Sequence, residues 1–118
     1  ELAPWAIRLE TSVLSKEGCD PLPSSSLEAH LDFDLTGSAL WVRSRRPGDR
    51  FRPLGLGGTK KIQDFLVDAQ VSRRLRERVP LLMTEDGRVA WVVGHRIDDR
   101  FKIRPGTKQV LRLRALPP

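Results

Sequence analysis

Apolar and polar side chains alternate most regularly in residues 27–35 of this chain. The apolar positions are Leu27, Ala29, Leu31, Phe33 and Leu35, and the polar positions between them are Glu28, His30, Asp32 and Asp34. A period of two residues is typical of a strand with one buried face, so this segment predicts a half-buried β-strand with an acidic outer face. Similar alternation predicts strands over residues 5–11 and 39–45. The intervening residues 15–26, rich in Ser and Pro, predict a loop.

The second half of the chain contains a predicted β-hairpin and two closing strands. Residues 81–84 and 89–94 are largely apolar and flank the turn-forming residues 85–87, which is typical of a hairpin. Since residues 89–93 are nearly all apolar, we expect a central strand covered on both faces. Residues 100–104 and 109–114 predict closing strands, and in the last of these Leu111 and Leu113 alternate with Arg112 and Arg114.

Two short helices are predicted in the middle of the chain. Thr59 is a candidate N-cap for a helix over residues 60–69. In that helix an apolar stripe follows helical spacing, and its members are Ile62, Phe65, Leu66 and Ala69. Ser72 is a candidate cap for a second helix over residues 73–78, which Pro80 would end. About seven strands and two adjacent helices indicate an α+β fold rather than repeated βαβ units.

A tight turn is predicted at residues 46–49. Pro47 presets its own φ, and Gly48 tolerates a positive φ. We expect Asp49 to be structural, either orienting this turn or pairing with an arginine. The large aromatic residues that we expect in the core are Phe51, Phe65, Trp91 and Phe101.

Composition narrows the class of protein. The chain has 118 residues, of which 39% are hydrophobic and 31% charged, as in an ordinary globular domain. No apolar run approaches the roughly 20 residues of a membrane helix, and the first residues do not resemble a signal peptide. Cys19 is the only cysteine, so an internal disulfide is excluded. These features predict a cytoplasmic protein without a membrane partner. The missing initiator Met suggests a fragment of a longer protein.

Charge is distributed unevenly along the chain. Its net charge is +6, but residues 1–42 carry −5, residues 43–78 carry +7 and residues 79–118 carry +4. Such asymmetry suggests a face for a polyanion. An arginine-rich but merely solvated surface would give the same counts, so charge alone leaves both interpretations open.

The sequence offers little for catalysis. The glycine-rich residues 55–58 precede a predicted helix, but neither the P-loop spacing nor the dinucleotide fingerprint is present. A flexible loop is therefore the simpler interpretation. No nucleophile with a partner base is evident, and Cys19 has no nearby cation in sequence that would lower its pKa. We expect no catalytic residue and no cofactor in this chain.

A metal site is not expected either, because His30, His95 and Cys19 lack ligand spacing. His30 lies on the polar face of its predicted strand and is expected at the surface. His95 is expected to be a hydrogen-bonded structural residue. For the adjacent Asp98 and Asp99 we expect ion pairs with neighbouring cations, for which the candidates are Arg96, Arg100 and Lys102.

Basic residues between 43 and 78 form the stronger signal. If they converge on one face, they offer charge-assisted contacts to a phosphate backbone. The residues predicted to make these contacts are Arg43, Arg45, Arg46, Arg50, Arg52, Lys60, Lys61, Arg73, Arg74 and Arg76. Few aromatic residues are left for base stacking, which favours recognition of a duplex through its phosphates and shape.

Four segments together resemble a known family. Residues 40–55 read LWVRSRRPGDRFRPLG, residues 58–68 read GTKKIQDFLVD, and residues 91–102 read WVVGHRIDDRFK, with the arginine-rich residues 73–80 between them. In order and spacing, residues 40–116 resemble the C-terminal domain of bacterial tRNA(Ile)-lysidine synthetase. Ser72 departs from the proline expected there, which leaves the start of the second helix open.

The resemblance implies a fold and a division of the chain. The fold would be β-sandwich-like, a β/β/α arrangement with two short helices on one side, shared with a domain of phenylalanyl-tRNA synthetase β chains. Residues 1–39 would be lead-in strands that join from a preceding domain. Residues 40–118 would be the C-terminal tRNA-binding domain, and the whole would form one compact unit.

The resemblance also implies a role. The domain would dock the acceptor stem of a tRNA(Ile) with a CAU anticodon, and the ten basic residues named above would bind the RNA backbone. The parent ligase would use ATP and Mg²⁺ in its N-terminal catalytic domain to convert the wobble cytidine to lysidine. This chain alone would then be inactive. The alternative is a module that packs on its own catalytic domain or forms a homodimer without touching RNA.

Overall fold

The computed structural model describes residues 7–20, 22–23 and 25–117. Its strands are β1 (Arg8–Ser15), β2 (Glu28–Asp32), β3 (Trp41–Ser44), β4 (Arg50–Phe51), β5 (Lys60–Lys61), β6 (Pro80–Met83), β7 (Val89–Val92) and β8 (Gln109–Leu116). Its α-helices are α1 (Phe33–Thr36), α2 (Ile62–Asp68) and α3 (Arg73–Arg76), and 3₁₀ turns occupy Lys16–Gly18 and Asp99–Phe101. The α+β class is therefore confirmed. Of the strand predicted at residues 5–11, residues 5 and 6 lie outside the described part.

The first sheet has the order β1-β8-β2, and both pairings are antiparallel. Its middle strand, β8, alternates as predicted: Leu111 and Leu113 are buried, while Arg112 and Arg114 face outward. The two outer strands come from before residue 39 and the middle one from the end of the chain. The proposed division at residue 39 stays a prediction, but strands from both sides of it share this sheet.

The second sheet has the order β3-β6-β7. The predicted hairpin is confirmed, since β6 pairs with β7 and the Thr84 N–H donates to the Arg88 carbonyl at 2.9 Å. The second hairpin strand is covered on both faces as predicted, but the prediction that it is central was wrong, because β6 is the middle strand and β7 lies at the edge. The edge is covered by residues that follow it: Trp91 bridges Ile97, and the Asp98 N–H donates to the Ala90 carbonyl at 2.9 Å.

Two apolar clusters define three layers. One cluster lies between the two sheets and includes Leu31, Trp91 and Leu113. The other lies on the opposite face of the second sheet, where Leu81 packs with Ile62 and Leu66 of α2. Neighbouring residues of β6 enter different clusters because side chains alternate along a strand. This order of sheet, sheet and helix confirms the expected β/β/α arrangement.

The first predicted helix begins later than its pattern indicated. Lys60 and Lys61 form β5, which pairs with β4, and the helix starts at Ile62. Lys61 occupies the N-cap position without a side-chain cap bond, so the prediction of Thr59 as the cap was wrong. The reason is a non-local one: pairing with β4 holds these residues extended, and the Ile62 N–H donates to the Asp49 carbonyl at 2.9 Å. Ala69, assigned to the apolar stripe, is exposed.

The second predicted helix, which corresponds to α3, is shorter than predicted and ends at Arg76. Ser72 occupies its N-cap position, but its hydroxyl makes no capping hydrogen bond. No helix in the described ranges is long and apolar enough to cross a membrane.

The alternating segment at residues 27–35 forms only a short strand. After β2 the chain turns into α1, because the Asp32 carboxylate caps the turn by accepting from the Asp34 N–H at 3.0 Å. Asp32 also accepts from the Thr107 hydroxyl at 2.8 Å and is buried. Leu27 and Leu35, predicted to face inward, are 54% and 44% exposed. An acidic outer face running through Asp32 was therefore a wrong prediction.

Residues 100–104 are not a closing strand. Their first part is the 3₁₀ turn Asp99–Phe101, capped by Asp98, whose carboxylate accepts from the Arg100 N–H at 2.8 Å. Phe101 is buried as expected, but a turn carries it into the core. The predicted core aromatics Phe51 and Trp91 are also buried, and Phe65 is partly buried.

Candidate nucleic-acid interface

The turn between β3 and β4 is organised by one carboxylate. Arg43 donates from Nη1 and Nη2 to the two oxygens of Asp49 at 2.7 and 3.0 Å, and the Arg46 N–H donates to the same carboxylate at 2.7 Å. Gly48 has a φ of 89°, which glycine adopts without strain. Asp49 thus both orients the turn and pairs with an arginine. Burial opposes its ionisation, but the hydrogen bonds from Arg43 and Arg46 lower the pKa of the Asp49 carboxyl below its ordinary value.

Arg43 is largely committed to this internal pair. Its side chain is 14% exposed, and its guanidinium lies 5.9 Å from the centre of the Trp41 ring. A charge that is already neutralised and shielded contributes less to an external anion than an exposed one. Contact between Arg43 and RNA stays a prediction, while its support of the turn is visible in the geometry.

Arg45, Arg46 and Lys61 line the first basic pocket, which has a volume of about 170 Å³ and also includes Gln63 and Asp64. Arg45 donates to Glu77 at 3.0 Å and to Gln63 at 3.4 Å, so its guanidinium is fixed. Arg46 and Lys61 are exposed, and neither has an ion pair with a described residue. The pocket therefore presents two available cations beside one that is held in place.

Helix α3 adjoins this pocket. Glu77, the partner of Arg45, is the residue at the C-terminal cap of α3. Arg73 and Arg74 are exposed on the helix, whereas Arg76 donates from Nη1 to the Val71 carbonyl at 3.0 Å. The ion pair between Arg45 and Glu77 thus joins the C-terminal end of α3 to the β3–β4 turn, while a surface shared by the α3 arginines and this pocket stays a prediction.

A second basic pocket gathers four arginines, of which the sequence indicated only two. Arg50 and Arg52 flank the buried Phe51, and they line a pocket of about 230 Å³ together with Arg88 and Arg100. Arg88 follows the hairpin turn, and Arg100 lies in the 3₁₀ turn, so neither is close to Arg52 in sequence. No periodicity could have found them; the only local signal was the predicted pairing of Arg100 with an aspartate.

Lys60 lies apart from both pockets. It alternates with Lys61 along β5, and its ammonium pairs with Asp68 at the far end of α2. Both residues line a third pocket, of about 410 Å³, whose other members include Phe65, His95 and Arg96. The ten predicted RNA-binding residues are therefore distributed over several sites, and three of them, Arg43, Arg45 and Lys60, have acidic partners.

The ion pairs predicted for the adjacent Asp98 and Asp99 are confirmed. Asp98 pairs with Arg100 at 2.9 Å and Asp99 with Lys102 at 3.1 Å. The hydrogen bonds that Arg100 donates to the Asp98 carboxylate raise the pKa of the Arg100 guanidinium further above its ordinary value. Arg96, the third candidate, donates instead to the Leu54 carbonyl at 3.4 Å and lies over the Phe65 ring.

Both histidines differ from their predictions. His30 is 5% exposed, because residues that precede β2 lie against its ring. The Asp20 carbonyl oxygen is 2.5 Å from Nδ1, and the Glu28 carboxylate is 2.9 Å from Nε2. His95 packs edge-on against Phe65 with 6.2 Å between ring centres, and its ring nitrogens have no hydrogen-bond partner among the described residues. Burial lowers the pKa of His95.

Cys19 lies 3.6 Å from the His30 ring, and burial raises the pKa of its thiol. A raised pKa keeps the thiol protonated, which does not favour nucleophilic chemistry. Within the described ranges, no three His, Cys, Asp or Glu side chains are grouped to hold a metal ion.

The architecture defines a fold class that solved structures share. An N-terminal fragment of the phenylalanyl-tRNA synthetase β-subunit from Pyrococcus horikoshii superposes with a TM-score of 0.60, covering 75% of this chain and 27% of that one at 17% identity, which shows a common fold. A crystal structure of a TilS C-terminal domain superposes with a TM-score of 0.80 at 26% identity, covering 99% of this chain and 90% of that one.

Sequence comparison narrows the class to a family. The family model described as TilS substrate C-terminal domain matches residues 40–114, and the chain belongs to this family. The tRNA(Ile)-lysidine synthase of Dehalococcoides mccartyi is 40% identical over 92% of this chain and 22% of its own length. That of Symbiobacterium thermophilum is 48% identical over 73% of this chain and 18% of its own length. The chain thus spans about a fifth of the length of these relatives.

Proposed function

We propose that this chain is the tRNA-binding C-terminal domain of a tRNA(Ile)-lysidine synthetase and that it docks the acceptor stem of tRNA(Ile) with a CAU anticodon. Family membership is the observation that carries this proposal. The parent ligase would convert the wobble cytidine to lysidine with ATP and lysine. ATP and Mg²⁺ would be held by its N-terminal catalytic domain, and the present chain would supply affinity and position.

Available positive charge supports an RNA-binding role. Of the predicted residues, several are exposed without an acidic partner in the described ranges: Arg46, Arg50, Arg52, Lys61, Arg73 and Arg74. Such cations can replace the counterions of a phosphate backbone, which is the main source of affinity for nucleic acids.

The scarcity of stacking surfaces supports a duplex as the target. Phe51, Trp91 and Phe101 are buried, and among the described residues Trp41 is the aromatic side chain with substantial exposure. Single strands are usually held by bases stacked on aromatic side chains, whereas a duplex offers mainly phosphates and shape. The acceptor stem is such a duplex.

A salt titration of binding tests this proposal. Its ligands are tRNA(Ile) with a CAU anticodon, a minihelix of its acceptor stem and an unrelated tRNA. We expect the minihelix to retain most of the affinity and to lose it steeply with salt, by roughly 0.9 in log–log slope for each phosphate contact. Loss of binding by the minihelix, with tRNA(Ile) still bound, would contradict acceptor-stem docking.

Charge-neutralising variants locate the surface. Arg46→Gln combined with Lys61→Gln removes the two available cations of the first pocket, so we expect the slope to fall by roughly 2. Lys108→Gln, just before β8, combined with Arg114→Gln in β8 removes the same charge elsewhere and serves as the matched control. If both pairs reduce the slope equally, the first pocket is not the RNA surface.

Exposed apolar side chains favour a second candidate function, docking on the parent catalytic domain or on another copy of the chain. Large hydrophobic residues with much exposure include Leu22, Leu27, Leu56 and Leu75. Where such side chains form one contiguous apolar patch, they mark a protein interface. Sedimentation of the domain alone and with the catalytic domain distinguishes the two functions. Association that persists in high salt, together with no RNA binding at low salt, would establish docking instead.

A further inference from the structure

The second basic pocket combines anchored and free arginines around one opening. Arg100 and Arg88 are held by other side chains, while Arg50 and Arg52 are exposed on either side of the buried Phe51. The pocket also includes Thr59 and the turn residue Gly87. We propose that this arginine pocket binds a single phosphate group.

Arg100 is preorganised for an anion. It donates from Nε and Nη2 to the fully buried Asp98 at 3.0 and 2.9 Å. A guanidinium has five N–H groups, so both groups on Nη1 and one on Nη2 stay available, and 28% of the side chain is exposed. A guanidinium whose orientation is fixed loses little conformational entropy when it binds an oxyanion.

Arg88 is anchored from the other side of the pocket. Its guanidinium carbon lies 4.7 Å from the centre of the Phe101 ring, which is within the range of a cation–π contact. Its Nε is 2.9 Å from an oxygen of Asp86. Phe101 belongs to the same 3₁₀ turn as Arg100, so one short segment positions both guanidinium groups.

The same carboxylate that fixes Arg100 also fixes the backbone beside Arg52. Asp98 accepts from the Arg52 N–H at 2.9 Å, and the Arg52 carbonyl accepts from the Asp99 N–H at 2.7 Å. The Arg52 side chain itself has no ion pair within the described ranges and is exposed. The backbone position of Arg52 is therefore fixed, while the charge of its side chain stays available to an external anion.

Charge balance favours an anionic ligand. Four arginines line the pocket, and the acidic residues beside them are Asp86 and Asp98, of which Asp98 is already saturated by hydrogen bonds. Phosphate offers several acceptor oxygens to planar guanidinium donors. The buried ring of Phe51 leaves no flat surface for a base, so the pocket suits the phosphate rather than the nucleoside.

The choice of RNA as the source of this phosphate rests on the proposed function. Two sources share the chemistry, a backbone diester and a terminal 5′-monoester. Binding of RNA duplexes that end in a 5′-phosphate or in a 5′-hydroxyl distinguishes the two sources. A preference for the phosphorylated duplex indicates the monoester. Equal affinity for the two duplexes indicates the diester, provided that the pocket variants weaken the binding of both duplexes.

Titration with inorganic phosphate tests the pocket directly. The probe is the NMR signal of the arginine Nε–H groups, and we expect those of Arg52, Arg88 and Arg100 to shift together. Arg52→Gln, an exposed position, should weaken phosphate binding about tenfold, the effect of one charge-assisted hydrogen bond. Arg88→Gln should do the same, and Arg114→Gln on the first sheet is the matched control.

The outcomes distinguish this inference from the proposed function. If RNA binds but neither Arg52→Gln nor Arg88→Gln changes its affinity or that of phosphate, the pocket inference is wrong and the RNA-binding role stands. An equal loss in Arg114→Gln would also overturn it, because the effect would then be one of overall charge. If phosphate binds in the pocket while no tRNA binds, the pocket stands and the tRNA role fails.

Discussion

Substitution of Asp98 by asparagine should destabilise the protein more than any other single change to a charged side chain described above. Asp98 is fully buried and accepts four hydrogen bonds, from the N–H groups of Arg52 and Arg100 and from Nε and Nη2 of the Arg100 side chain. An asparagine retains one acceptor oxygen and turns an NH₂ group toward the remaining donors. At least part of this network is therefore lost together with the ion pair.

The magnitude follows from the burial of the two partners. Breaking a buried ion pair costs about 3–5 kcal/mol. Because 28% of the Arg100 side chain remains exposed, water can partly compensate its charge, so we expect the lower end, about 3 kcal/mol. For a domain of this size that corresponds to a fall of roughly 12 °C in Tm.

Asp99→Asn is the matched control, since it removes the same charge one residue away. Asp99 is 41% exposed and pairs with Lys102, which is also exposed, so its loss should cost less than about 0.5 kcal/mol. Urea unfolding followed by tryptophan fluorescence, to which the buried Trp91 contributes, measures both variants. Equal destabilisation by the two substitutions would refute the view that the buried carboxylate organises this region.

Three further changes test local features of the fold. Gln70, which follows α2, has a φ of 62°. Because glycine adopts this φ without strain, Gln70→Gly should raise the free energy of unfolding by about 0.5–1 kcal/mol, whereas Gln70→Ala should leave it nearly unchanged. Equal effects of the two substitutions would exclude backbone strain at this position. Burial opposes ionisation of Asp49, but hydrogen bonds keep its pKa below the ordinary value of 3.8. As pH falls, the unfolded chain therefore takes up this proton before the folded protein does. The ionised Asp49 thus stabilises the fold above the ordinary carboxyl pKa, and this stabilisation is lost in acid. Asp49→Asn should consequently flatten the acid limb of the stability profile, and an unchanged limb would contradict this linkage. Burial lowers the pKa of His95 below its ordinary value of 6.5, so the free energy of unfolding should fall as pH drops through and below that value. His95→Gln should reduce this fall, measured by urea unfolding at a series of pH values. The same pH dependence in the variant and the original protein would show that His95 does not contribute.

The parts of the fold that could be predicted depend on local pattern. The β6–β7 hairpin has a turn between two apolar strands, and β8 alternates Leu111 and Leu113 with arginines, so each carries its own signal. The turn at Asp49 was predictable for the same reason, because Pro47 and Gly48 restrict the backbone locally.

Long-range contacts determine the features that the patterns missed. Lys61 has the sequence context of a helix but is extended, because it pairs with Arg50 of β4. His30 is buried by Asp20, which returns from the preceding loop. In each case a partner distant in sequence decides the outcome, and single-sequence periodicity contains no information about that partner.

The same limit applies to the basic surface. Charge counts identified the arginine-rich segment, but they could not show that Arg43 and Arg45 are held by Asp49 and Glu77. Nor could they bring Arg100 beside Arg52, which depends on a hydrogen bond from the Arg52 N–H to a carboxylate 46 residues away. Whether a cation is available or already paired is a property of the packed chain.

The position of β8 in the first sheet has a consequence for how the protein folds during synthesis. Both β1 and β2 pair with β8 and not with each other, although β1 is made about 100 residues and β2 about 80 residues earlier than their partner. The hairpin of the second sheet joins neighbouring segments and can form first, whereas β1 and β2 must wait until residues 109–116 have left the ribosome. Non-local pairing of this kind slows folding and leaves strand edges open meanwhile. We therefore expect nascent chains that stop before β8 to expose β1 and β2 to chaperones and proteases.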